Sequence, residues 1–76
     1  MTKAYIFIKA KAGKTKDVAK ALLALHGVKA ADSCWGTPDI IAVVNIKNER
    51  ALNDLVLSQI QQINGVEHTE THIVLD

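Results

Sequence analysis

Small domains often staple themselves with disulfides, but this chain has a single cysteine, Cys34, so no internal disulfide exists. A lone thiol fits a reducing compartment. No stretch approaches the roughly 20 apolar residues of a membrane span. The apolar run near the N-terminus is too short for a signal peptide and has lysines on both sides. Proline occurs once, as Pro38, and no linker or low-complexity run interrupts the chain. Aromatic residues number three, Tyr5, Phe7 and Trp35. G-x-G-x-x-G, P-loop, C-x-x-C and G-x-S-x-G signatures are all absent. These absences point to a cytoplasmic protein without a nucleotide loop, a dithiol site or a serine-nucleophile elbow.

The chain has 76 residues, enough for one domain spanning 1–76. A core of that size supplies about 3–5 kcal/mol, so such chains usually need a disulfide, a metal or association. With disulfides excluded and metal signals weak, association is the expected route. Charge is nearly balanced but unevenly placed. Lys3, Lys9, Lys11, Lys14, Lys16, Lys20 and Lys29 stand against Asp17 alone in the first 29 residues. The ordinary reading of that bias is a solvated lysine face; the sharper one is a footprint for nucleic acid or an acidic partner.

Lys3 to Ala10 is rich in β-branched and aromatic residues, which predicts a strand. Val18, Ala21, Leu22 and Leu25 then fall at i, i+3, i+4 and i+7, the stripe of an amphipathic helix over 14–25. Gly27 sits where a helix C-terminal glycine belongs. Val28 to about Cys34 follows as a weak second strand, and Trp35-Gly36-Thr37-Pro38 has turn chemistry. Asp39 to Lys47 is the strongest strand in the chain. Asn48 is a candidate N-cap for a second helix marked by Leu52, Leu55, Val56, Ile60 and Ile63. Gly65 closes it, and Val66 to Leu75 returns as a fourth strand.

The halves echo each other as strand, helix, Gly-Val, strand: His26-Gly27-Val28 in one, Asn64-Gly65-Val66 in the other. Right-handed crossovers then predict an α+β, ferredoxin-like βαββαβ sandwich with a four-stranded antiparallel sheet and two helices on one face. The other face lacks the clean polar alternation of a wetted sheet. Ile6 and Ile8 lie on one side of the first strand, Tyr5 and Phe7 on the other. Ile40, Ala42, Val44 and Ile46 oppose Ile41 and Val43 on the third. Exposing Tyr5, Phe7, Ile41 and Val43 would forgo about 6–12 kcal/mol, more than the core supplies. A second subunit is expected to cover them, giving a homodimer of the dimeric α+β barrel type or a larger ring. The RNA-recognition domain shares this element order but needs aromatics on its third strand, and DIIAVVNIK has none.

Several residues are candidates for chemistry. Asp39 opens an apolar strand and offers a carboxylate to an ammonium group; otherwise it caps the turn. Gly36 allows close approach of a ligand; otherwise it only makes the turn. Thr69 and Thr71 share one face of the last strand, as pocket hydroxyls or as ordinary strand residues. His68, Glu70 and His72 share the opposite face. They lack a matched fourth ligand, so a solvated or interface face outweighs a metal site, and no metal or cofactor is expected. His26 reads as structural at a helix C-terminus. Cys34 has no adjacent base and reads as inert packing. Trp35 is either core or the flat wall of a pocket.

AYIFIKAKAGKTKDVAKALLAL, HGV, WGTPDIIAVVNI, the leucine-rich second helix, INGV and ETHIVL follow one another in an order and spacing that covers nearly the whole chain. In this the sequence resembles the ligand-binding (RAM) domain of the Lrp/AsnC, or feast/famine, transcription regulators. Gly36 to Ile40, a G-x-x-D-hydrophobic segment, is the most specific part. The resemblance implies dimerisation through the sheets, octameric or decameric rings, and an amino acid bound between subunits. By position it implies that Gly36, Thr37 and Asp39 hold the ligand's ammonium and carboxylate. Thr69 and Thr71 would line the same pocket, with Trp35 at its side-chain end.

Full regulators of that family carry an N-terminal helix-turn-helix domain, whereas here Met1 begins at the first strand, as in a stand-alone version. Pro38 also replaces the aromatic or other residue that many members place before the aspartate. The expected function is therefore a non-catalytic, transcription-modulating module that binds an amino acid, does not contact DNA or membrane itself, and can mix with full-length Lrp/AsnC regulators. The alternative is a small dimeric α+β barrel enzyme, monooxygenase- or isomerase-like, using His68, His72 or Cys34 in an enclosed pocket.

Overall fold

The computed structural model describes residues 1–75. The elements run β1 (Thr2–Ala10), α1 (Thr15–Leu23), β2 (Val28–Ser33), β3 (Ile40–Ile46), α2 (Glu49–Leu55) continuing as a π-helical segment (Val56–Ile60), and β4 (Val66–Ile73). The four strands form one sheet in the order β2-β3-β1-β4, with every neighbouring pair antiparallel. Each βαβ unit thus skips one strand: β3 lies between β1 and β2, and β1 lies between β3 and β4. This is the split arrangement expected from the duplicated sequence.

Register decides which face meets the helices, since both faces of β1 and β3 carry apolar residues. Ile6 pairs with Ala42 and Ile8 with Ile40. These residues, with Ala4, Ala10 and Val44, are buried in one cluster with Val18, Ala19 and Leu22 of α1 and with Leu52, Leu55, Val56 and Ile60 of the second helical arm. Both helices therefore cover the same face. The first helix is shorter than its stripe predicts. It ends at Leu23, Ala19 is buried where the stripe predicts Ala21, and Leu25 packs against the core from the following turn.

The second arm starts as its sequence suggests. Asn48 is extended, and its side-chain oxygen accepts the Ala51 N–H at 2.8 Å. It does not stay α-helical, because the Gln61 N–H reaches back five residues to the Val56 carbonyl at 2.9 Å. A π turn holds more residues than an α turn. Val56 and Ile60 both stay buried across this turn.

Gly65 carries a φ of +107°, and a Cβ there would lie 2.9 Å from Lys14 Cβ and 3.0 Å from Val18 Cγ2. Only glycine fits that conformation and that space. Its carbonyl accepts the Lys11 N–H at 2.7 Å, tying the start of β4 to the end of β1. Gly27 does the same in the first half, accepting the Asn45 N–H at 2.9 Å. The Gly-Val echo in the sequence is thus one structural device used twice.

Candidate functional site

The open face of the sheet is the side without helices. Register places Tyr5 beside Val43 and His72, Phe7 beside Ile41 and Glu70, and Lys9 beside His68. Asp32 lies opposite Ile41 on β2. Phe7, Ile41 and Val43 are half-buried by their neighbours within the sheet, while Tyr5 is exposed. A partner can therefore add only a fraction of the burial that full exposure of these four side chains would imply. The His72 ring lies 4.6 Å from the Phe7 ring, tilted by 38°, and Lys3 Nζ lies 5.5 Å from the Tyr5 ring centroid. Asn45, opposite Lys3 on the same face, holds a side-chain oxygen that is buried without a hydrogen-bond partner.

The segment from Cys34 to Asp39 crosses the end of this sheet. The Cys34 N–H donates to the Asp39 carbonyl at 2.6 Å, and the Asp39 N–H donates to Ile8 O at 3.1 Å. The Ala10 N–H donates to Asp39 Oδ2 at 3.0 Å. Asp39 therefore binds the turn to β1 through both backbone and side chain, which is the capping role considered for it. One carboxylate oxygen then serves this latch, leaving Oδ1 for other contacts. Gly36 has a φ of +115° and nothing within 4 Å of where a Cβ would stand, so its backbone is open to approach. Trp35 is fully exposed, so within one chain it is not core.

The six expected site residues fall into separate groups. Thr37 and Pro38 meet Phe7, Lys9, His68 and Glu70 around a cleft of about 240 Å³ on the open face. Thr69 and Thr71 are paired with Ile8 and Ile6, so they point to the helix side. Thr69 Oγ1 accepts a hydrogen bond from Gln61 Nε2 at 3.0 Å and borders a separate hollow of about 320 Å³ with Gln61, Val66, Glu67 and His68. The prediction that the threonines and the turn line one pocket is thus not met inside a single chain. Sequence reasoning missed Lys9, Phe7 and Glu70 as neighbours of the turn, and Gln61 as the partner of Thr69. Only strand register brings residues 7, 37 and 70 together, and no local motif marks it.

His68, Glu70 and His72 share the open face as expected, and Glu70 Oε1 lies 3.3 Å from His72 Nε2. Among the described residues, no group of three or more His, Cys, Asp or Glu side chains is placed to hold a metal. Cys34 follows β2 at one edge of the sheet, while both histidines stand exposed on β4 at the other edge. Cys34 is only partly buried, with its thiol 3.7 Å from Asp32 O, rather than packed inside. The enclosed catalytic pocket that the enzyme alternative requires is not formed by these residues. No helix among the described residues is long and apolar enough to cross a membrane.

Comparison with known proteins agrees with this architecture. Residues 3–76 match the family model of the Lrp/AsnC ligand binding domain. The chain is 38% identical over 72 residues to the HTH-type transcriptional regulator FL11 of Pyrococcus furiosus, covering 95% of this chain and 47% of that protein. It spans about half the length of the curated relatives it matches. The crystal structure of TTHA0845 from Thermus thermophilus superposes with a TM-score of 0.95 at 29% identity, covering 100% of this chain and 95% of that one. Escherichia coli AsnC superposes with a TM-score of 0.91 at 28% identity, over 99% of this chain and 51% of that one. The curated relatives are named transcriptional regulators, and the matched family is one of ligand-binding domains rather than of enzymes. The chain belongs to the Lrp/AsnC ligand-binding-domain family.

Proposed function

We propose that this chain is a non-catalytic effector-binding module that pairs through its open sheet face and holds an amino acid in crevices between subunits. The observation that carries the reading is the uncovered apolar strip of Tyr5, Phe7, Ile41 and Val43 on a domain of this family. A second copy is the occupant that fits. The face carries both signs, Lys3 and Lys9 as well as Asp32 and Glu70, so a two-fold pairing can set opposite charges against each other. The buried Asn45 oxygen also awaits a donor.

The ligand assignment rests on two supports. The matched family is one of ligand-binding domains. A regulator of the same fold from Neisseria meningitidis, 19% identical with a TM-score of 0.86, has been solved as a complex with L-Met. In this reading Gly36, Thr37 and the free oxygen of Asp39 hold the ammonium and carboxylate, and Trp35 flanks the side chain. Thr69 and Thr71 point to the other side of the sheet, so they join the same crevice only from a neighbouring subunit. In this reading the module acts in the cytoplasm as the effector-sensing part of transcription regulation.

A thermal-shift screen against the amino acids tests this. One or a few of them at millimolar concentration raise the melting temperature, and Asp39→Asn, which keeps an acceptor for the Ala10 N–H but removes the charge, abolishes the rise. A flat screen contradicts the ligand assignment.

A further inference from the structure

We propose that Lys9 binds the carboxylate of the effector, so that the site selects molecules carrying an ammonium and a carboxylate together. The inference rests on the effector reading above and adds the residue that supplies its missing charge. An amino acid brings one positive and one negative group. Among Gly36, Thr37 and Asp39 the only charged side chain is Asp39, whose free Oδ1 suits the ammonium. Gly36 and Thr37 offer the carboxylate neutral donors alone. Enclosing an anion between subunits without a cation is costly, so the crevice needs a positive group.

Strand geometry puts one in place. Ile8 pairs with Ile40 at the end of the β1–β3 ladder, and the next step along sets Lys9 level with Asp39. Both sequence neighbours of Lys9 are tied to that aspartate. The Asp39 N–H donates to Ile8 O at 3.1 Å, and the Ala10 N–H donates to Asp39 Oδ2 at 3.0 Å. These two bonds fix the Lys9 backbone against the turn. Ile8 and Ala10 are buried under the helices, so by alternation Lys9 points to the open face. There it borders the cleft of about 240 Å³ together with Thr37 and Pro38. Phe7 and Pro38 give the same cleft apolar walls, and a charge pair strengthens where water is displaced by such walls.

The other charged groups do not take this role. Glu70 and Asp32 on the same face are anions, and Glu70 Oε1 already lies 3.3 Å from His72 Nε2. Lys11 and Lys14 belong to the connection from β1 to α1, beside Gly65, and do not line the cleft. Lys3, Lys29 and Lys47 lie toward the other end of the sheet, opposite Asn45, at the β2 bulge and after β3. His68 stands opposite Lys9 and borders the cleft, which makes it the residue to test against Lys9. Among the described residues Lys9 makes no ion pair and its side chain is exposed, so its charge is available to a ligand.

Isothermal titration near neutral pH with the standard L-amino acids, each beside its own α-carboxamide, tests this. Wild type and variants are compared at a concentration where light scattering gives them the same mass. Wild type is expected to bind at least one amino acid about tenfold or more tightly than the matching amide, which keeps the ammonium but lacks the negative charge. Lys9→Gln is expected to weaken that amino acid roughly ten- to a hundredfold while the amide changes less than about threefold. Lys9→Arg, which keeps the charge, should retain the preference, and Lys11→Gln, outside the cleft, should leave both constants unchanged. Acid and amide bound alike by the wild type overturn the Lys9 assignment while leaving effector binding intact. So does a preference that survives Lys9→Gln, including one that His68→Gln abolishes instead. A wild-type chain that binds none of the amino acids overturns the effector reading and this inference with it.

Discussion

The two faces of this sheet use the same kinds of side chain to different ends. On one, Ile6, Ile8, Ile40 and Val44 are fully buried beneath the helices. On the other, Phe7, Ile41 and Val43 are only half-buried, with Tyr5 exposed beside them and a row of His, Glu and Lys alongside. A residue's neighbour in sequence thus belongs to a different environment, one completed within the chain and one left for another molecule. The contrast separates what holds the fold from what the fold offers.

That contrast can be broken from either side. The largest loss of stability is expected from Ile6→Ala, which opens a cavity where no solvent reaches. It should cost about 2–5 kcal/mol in urea unfolding, a large part of the total for a domain this small. Phe7→Glu, one residue along, should leave the circular dichroism spectrum unchanged while placing a charge in the apolar strip. Its effect should appear as loss of the paired species in sedimentation, with the dissociation constant rising at least about a hundredfold. If Phe7→Glu unfolds the chain as Ile6→Ala does, the two faces do not differ as described. A smaller effect is expected from Asn48→Ala, which removes the side-chain acceptor for the Ala51 N–H. It should lower stability by about 1 kcal/mol in the same unfolding experiment, without changing the oligomeric mass.

Much of this is legible in the sequence because it is local. The β-branched and aromatic run of β1, the apolar run of β3, the Asn48 cap, and glycines at 27 and 65 each depend on a few adjacent residues. The repetition of strand, helix and Gly-Val then leads to the topology. The parts that are not legible depend on register and on competition between elements. Nothing local decides whether Ile6 or Phe7 meets the helices, since both strips are apolar. The π turn after Leu55 has no local mark either, since Val56 and Ile60, four apart and both buried, suit an α stripe equally well. The expected site shows the same limit. Gly36, Thr37 and Asp39 lie together because they are nearly consecutive. Resemblance groups Thr69 and Thr71 with them, and β4 points those two the other way. Asp39 illustrates a further ambiguity, because one carboxylate suits both a backbone latch and an ammonium contact, and in this chain it already makes the first.

The most direct test is the mass of the wild-type chain in solution near neutral pH, followed by multi-angle light scattering on dilution into the low micromolar range. A persistent mass of two or more times the 8.3 kDa chain, reduced to one by Phe7→Glu, is the predicted result. A stable wild-type species of a single chain's mass would contradict the account, because the open face would then be complete when simply wetted.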